Sequence, residues 1–185
     1  MTTTSKPRSR EMAGTGYPAP KLLATPTDLK PNEIQAVVEA INPLIADSFA
    51  LFVKTKNFHW HLSGPHFRDY HLLFDEQAEQ VFASIDIMAE RVRRIGGTTI
   101  RSLSHIQKLT QVADDNEDQV KPLDMLRRLL DDNHHMARSL RQAIAVCEDN
   151  RDSVTANSLQ EILDLTEKRV WFLFEASQTE AATHA

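Results

Sequence analysis

The sequence predicts an all-α protein, an antiparallel four-helix bundle with a short extra helix in the crossover between the second and third long helices. Two observations predict it. Four long stretches repeat their apolar residues at the 3.6-residue period of a buried helix face, and, Pro43 apart, prolines and glycines fall at their ends or between them. The gap between the second and third stretches is much longer than the others, and a bundle wound up and down through short loops has no use for such a connection.

The chain's 185 residues suit one domain. With 41% hydrophobic and 25% charged residues and only five glycines, the composition is soluble and helix-rich. Three regions are expected: a mobile N-terminal tail over 1–30, the bundle over 31–178 and a frayed C-terminus over 179–185. The tail has five prolines or glycines before Lys21 and no helical period, and its Leu22–Pro26 part reads as an extended piece lying on the body.

The first helix is expected to begin at Pro31-Asn32, where proline is tolerated, and to run to His61 on Ile34, Val37, Val38, Ile41, Leu44, Ile45 and Phe49, with Pro43 bending it but not ending it. The second runs from about Phe67 to Ile95 and stops at Gly96-Gly97, a left-handed cap. Thr98–Val112 carries Ile100, Leu103, Ile106, Leu109 and Val112 three apart, a short amphipathic helix, and Ala113–Lys121 is an acidic loop. The third long helix starts near Pro122, and the fourth spans Ser153 to Ser177, with Leu159, Ile162, Leu163, Thr166, Val170, Leu173 and Phe174 inward and Trp171 as a large anchor.

The second helix carries the chemistry. At ~100° per residue, with His71 at zero, Asp75 lies at ~40°, Asp86 at ~60° and Glu90 at ~100°, so all four share one face. Phe67, Tyr70, Phe74, Val81, Ile85, Met88 and Val92 form a separate core stripe. Asp75 and Asp86 are ~16 Å apart along the axis, too far for one metal ion. Yet His71/Glu90 and Asp75/Asp86 share a midpoint between Gln80 and Val81. A two-fold axis there, relating the helix to an antiparallel copy, sets each pair against the other and makes two identical sites ~22 Å apart. Ala78, Phe82 and Ala83, with Glu79, lie between the pairs and read as the dimer interface. Either pair taken alone is more commonly just a surface pair.

HWHLSGPHFRDYHLLFDE followed by DIMAERVRRIGG resembles the Dps family (DNA-binding proteins from starved cells), the mini-ferritins. The likeness extends with lower specificity over most of Pro31 to Ser177. It implies a ferritin-like bundle and a dodecameric shell in which Fe(II) is oxidised, preferably by hydrogen peroxide, and stored as Fe(III) mineral, protecting DNA from oxidative damage. Matched residue by residue, the ferroxidase ligands fall on His59, His71 and Asp75 of one chain and Asp86 and Glu90 of its partner. The resemblance also marks Asp131 as lining a three-fold pore for iron. Trp60, beside His59, reads either as a quencher of stray oxidising equivalents or as a packing residue. His61 stands where Asn is frequent in the family and offers a further ligand, while Tyr70 and Thr99 are smaller departures.

Zinc competes for the same ligands. Lys6, Arg8 and Arg10 in the tail suggest DNA contact by avidity, against a net charge of −5 per chain. The alternative function is therefore an architectural DNA-binding nucleoid protein with a structural or zinc-occupied site. An ordinary ferritin's Glu-x-x-His pairs are absent, as are nucleophile-elbow and phosphate-loop motifs. Single Cys147, the lack of a signal-like apolar run in the first 30 residues, and no expected span of ~20 apolar residues point to a cytoplasmic protein without a membrane partner.

Overall fold

The computed structural model describes residues 18–178, which contain helices and no strand. A 3-10 turn at Lys21–Leu23 precedes α1 (Pro31–His61), α2 (Phe67–Arg94), α3 (Leu103–Leu109), α4 (Pro122–Asp149) and α5 (Ser153–Ser177). Helices α1, α2, α4 and α5 form the bundle, and α3 rides in the crossover against α1. Lys6, Arg8, Arg10 and the C-terminal stretch 179–185 lie outside the described residues.

The helix ends follow local chemistry. Pro31 and Pro122 open α1 and α4, where a missing N–H costs nothing. Glu33 accepts a bond from the Lys30 N–H (2.7 Å) and is gripped by the Arg151 guanidinium at 2.7 and 2.9 Å, tying the start of α1 to the α4–α5 turn. That guanidinium and the Lys30 N–H hold the Glu33 carboxyl down at about 2. A depressed carboxyl stabilises the fold above its unfolded value near 4.5 and stops doing so as pH falls through about 2. Thermal melts of Glu33→Gln should therefore lie below wild type above pH 4.5, with the gap closing toward pH 2.

Gly96 has φ +85°, and a Cβ there would meet the Thr25 carbonyl oxygen at 2.9 Å. At Gly97 a Cβ would fall 2.4 Å from Val38 Cγ2, so the end of α2 is pressed against α1. Arg93 clasps the incoming chain here, donating to the Leu23 carbonyl (2.8 Å) while its own carbonyl accepts from the Thr25 hydroxyl (2.9 Å).

The core has two apolar clusters. One gathers Val37, Val38, Ile41, Met88, Leu140 and Leu159, and the other Phe58, Phe74, Met125, Leu126, Leu129 and Leu173. A polar layer separates them on α4 and α5, where buried Arg169 donates to Asn133 Oδ1 and Thr166 Oγ1, both at 2.8 Å. Burial pulls the guanidinium down to about 10. Cys147 is also buried, and its thiol is pushed up to about 12. Alkylation of native protein at pH 8 should thus be slow and limited by unfolding, which pulsed labelling followed by mass spectrometry will read.

Several sequence expectations need correction. Phe67 is 44% exposed and Trp171 59% exposed, so neither is a core anchor, and Phe174 is exposed where Arg169 turns inward. Ala78 is buried within its own subunit. Contrary to the expectation of no membrane-length apolar run, α1 is long and apolar enough to cross a bilayer by length and composition. More than half of that window is buried in the bundle, because α1 packs on α2, α3 and α4 at once.

Candidate metal centre

The turn after α1, with Gly64 at φ +112°, reverses the chain so that the end of α1 meets the start of α2. His59 and His71 thereby stack, ring centroids 3.7 Å apart at 21°. Each supports the other: His59 Nδ1–H donates to the His71 carbonyl (2.9 Å), and His71 Nδ1–H donates to the His59 carbonyl (3.1 Å). A carbonyl only accepts, so each ring carries a proton on Nδ1, and in the neutral imidazole the lone pair is then on Nε2. Such backing is how metal-ligating imidazoles are fixed in tautomer and orientation. The Phe67 ring lies 5.0 Å from that of His71.

Asp75 completes this group, with Oδ1 3.8 Å from His59 Nε2. The same oxygen accepts from Lys56 Nζ at 2.6 Å, and this ammonium is the main reason the Asp75 carboxyl is held below its usual range. Lys56 lies one turn before His59, a spacing visible in the sequence whose significance was missed. Two imidazoles and a carboxylate suit a borderline-to-hard divalent ion such as Fe(II), and zinc equally.

Asp86 and Glu90 are elsewhere. Both are exposed farther along α2, and Glu90 is paired with Arg94 one turn on. Among the described residues no three His, Cys, Asp or Glu side chains gather closely enough to hold a metal. Helix α2 also exposes Leu72, Phe82 and Ile87. Beside Asp86 opens an apolar cleft of about 580 Å³ walled by Phe82, Ile85, Ala89, Ile100 and Leu103.

The remaining expected residues are scattered. Trp60 is 64% exposed, so it is not a packing residue within its own chain. His61 donates through Nδ1 to the Asn57 carbonyl (2.8 Å) with its ring exposed. Asp131 is exposed on α4, and the neighbouring Asp132 is turned inward onto Lys54 (2.7 Å).

The model of the ferritin-like domain matches residues 38–179. An uncharacterized low temperature-induced protein of Nostoc is 34% identical over 140 residues, 75% of this chain and 78% of that one. DNA protection during starvation protein 1 of Deinococcus radiodurans is 28% identical over 145 residues, 78% of this chain and 70% of that protein. Among solved structures, DpsC from Streptomyces coelicolor superposes with a TM-score of 0.79 at 29% identity, covering 84% of this chain and 91% of that one. Dps from Bacillus brevis gives 0.77 at 29% identity, covering 81% and 100%. With its all-α bundle, the crossover helix and this set of relatives, the chain belongs to the ferritin-like domain family and, within it, to the Dps mini-ferritins.

Proposed function

We propose that two copies of the chain pair α2 against α2 and complete two ferroxidase sites, at which Fe(II) is the substrate. The observation that carries this reading is the split of the ligand set. His59 and His71 stack with Asp75 3.8 Å from His59 in one chain, short of a complete metal site, while Asp86 and Glu90 stand apart on an exposed strip beside an open apolar cleft. A two-fold axis at the middle of α2 brings each half to the other and covers the cleft.

In this reading Fe(II) is held by Asp86 and Glu90 of one chain and His59 Nε2 of the other, with His71 and Asp75 serving a second iron position. The Lys56 ammonium must leave Asp75 before that position fills, which makes it the weaker of the two. Hydrogen peroxide takes one electron from each of two Fe(II) ions, its O–O bond breaks, and two hydroxide ions and two Fe(III) result. Withdrawing the electrons as a pair avoids free hydroxyl radical. Trp60, exposed next to His59, is placed to absorb stray oxidising equivalents.

Twelve chains enclose the ferric mineral, Asp131 lines the iron entry pore, and the result is protection of DNA from iron and peroxide in the cytoplasm. An N-terminal tail over 1–30, the bundle over 31–178 and a C-terminal stretch over 179–185 remain the proposed division of the chain.

Stopped-flow absorbance of anaerobic Fe(II)-loaded protein mixed with peroxide or with oxygen tests this, with native mass counting subunits. Fast peroxide-driven oxidation in a dodecamer is expected. A dodecamer no faster than buffer would overturn the reading in favour of an architectural or zinc-holding protein.

A further inference from the structure

Asp132 and His135 lie one turn apart on α4, and the fold sends them to different partners. Asp132 is committed to Lys54 at 2.7 Å. His135 instead reaches across to α1, its Nε2 standing 3.4 Å from Asp47 Oδ2 and 3.5 Å from the Ser139 hydroxyl.

Asp47 is an unusual residue to find inside a helix bundle. It is 1% exposed, and its two carboxylate oxygens are treated differently. Oδ1 accepts from the Thr110 hydroxyl (2.9 Å) and from the backbone N–H groups of Gln111 (2.5 Å) and Val112 (3.3 Å), so the turn after α3 locks the carboxylate in place. Among the described residues Oδ2 receives no such bond, and it faces His135. Both border an open cleft of about 400 Å³ between α1 and α4, with Gln111, Ser139 and Gln142 on its walls.

The spacing is poor for a hydrogen bond, whose donor–acceptor distance is about 2.7–3.2 Å. It does fit a shared cation. Ligand bonds of about 2.0–2.2 Å in tetrahedral geometry set neighbouring donor atoms about 3.4 Å apart. The geometry points to a divalent-cation site of zinc class held by Asp47 Oδ2 and His135 Nε2, with the Ser139 hydroxyl and water from the cleft completing it. A carboxylate already fixed through its other oxygen is the kind of supported ligand that metal sites use. Asp132, one turn before His135, has its charge taken up by Lys54, and Glu39 and Arg138 also line the cleft.

This site shares no residue with the one at His59 and His71 and does not rest on the ferroxidase reading. A cation there would tie together α1, α4 and the turn after α3, so its effect is on stability. The contacts also dispose of a hydrolytic reading of Ser139, His135 and Asp47. Serine and aspartate both face the same ring nitrogen, so no proton relay runs through the imidazole.

The test uses the full-length assembled protein carrying His59→Ala, His71→Ala, Asp86→Ala and Glu90→Ala, which removes the competing ligands of the proposed ferroxidase site. Cobalt(II) alone is the probe, because tetrahedral cobalt has an intense visible band that octahedral cobalt lacks. One tightly bound cobalt per chain with that band is expected, together with a rise in melting temperature on adding zinc. His135→Gln, at the cleft rim, should weaken cobalt binding by at least about tenfold and abolish the zinc-induced rise. Asp47→Asn, which keeps the shape of the anchor, should do the same, and Ser139→Ala should produce a smaller loss. Unchanged cobalt affinity in a folded His135→Gln protein, or binding without the tetrahedral band, overturns the proposal and leaves an ordinary His–Asp contact.

Discussion

Replacing Asp86 and Glu90 together with Ala is expected to slow peroxide-driven Fe(II) oxidation by at least about 100-fold, to within about twofold of the rate in buffer, while the shell still assembles. The expectation follows from what remains. Each proposed site keeps two imidazole nitrogens and one carboxylate, and that carboxylate is already held by Lys56. Two neutral donors bind ferrous iron weakly and do little to stabilise the ferric product. Assembly should survive because both side chains are exposed in the single chain and neither supports the core. Glu79→Ala on the same face is the control, since it removes a carboxylate outside the proposed ligand set. Unchanged kinetics in the double variant would sink the ligand assignment, and equal loss in the control would reduce it to a general field effect.

Asn133→Leu is expected to destabilise the bundle by about 2–3 kcal/mol, more than most substitutions of a neutral residue of that size. Its amide oxygen accepts from Arg169 Nε, and its amide nitrogen donates to the Leu129 carbonyl. Removing it strands part of a buried guanidinium that has already lost its hydration. Arg169→Met should cost less, because it removes the charge along with its needs, and the combination should recover much of the single-variant loss. Thermal unfolding of the four assembled proteins measures the cycle. Additive losses would mean that the Asn133–Arg169 bond contributes little.

The elements were legible because each relies on local signals. The prolines at Pro31 and Pro122, the glycines at Gly96 and Gly97 and the apolar period give all four long helices and the place of the short one. The errors came where one helical wheel cannot see its neighbours. Phe67 falls on the core stripe of α2, but it projects from the first turn beyond most of the bundle and covers His71 instead. Trp171 reads as an anchor by size and Phe174 as core by period, whereas Arg169, polar and long, is the side chain buried among α4 and α5.

The candidate centre divides along the same line. The angular relation of His71, Asp75, Asp86 and Glu90 depends on one helix and is open to inspection in the sequence. His59 belongs to another helix, and only the reversal at Gly64 stacks its ring on His71. The contacts of Lys56 with Asp75 and of His135 with Asp47 likewise join residues far apart in the chain, and no period announces them.

The apolar length of α1 has a consequence for synthesis on the ribosome. Its packing partner α4 begins at Pro122, roughly sixty residues after α1 ends. At ~5–20 residues per second, the last of α4 is added roughly 4–18 s after His61. Helix α2 can cover one side of α1 in that interval, but the side that finally meets Leu126, Leu129 and Leu140 stays in water. The nascent chain therefore presents a long greasy helix for seconds at a time, and a holding chaperone should matter most to its yield before translation has passed Asp149.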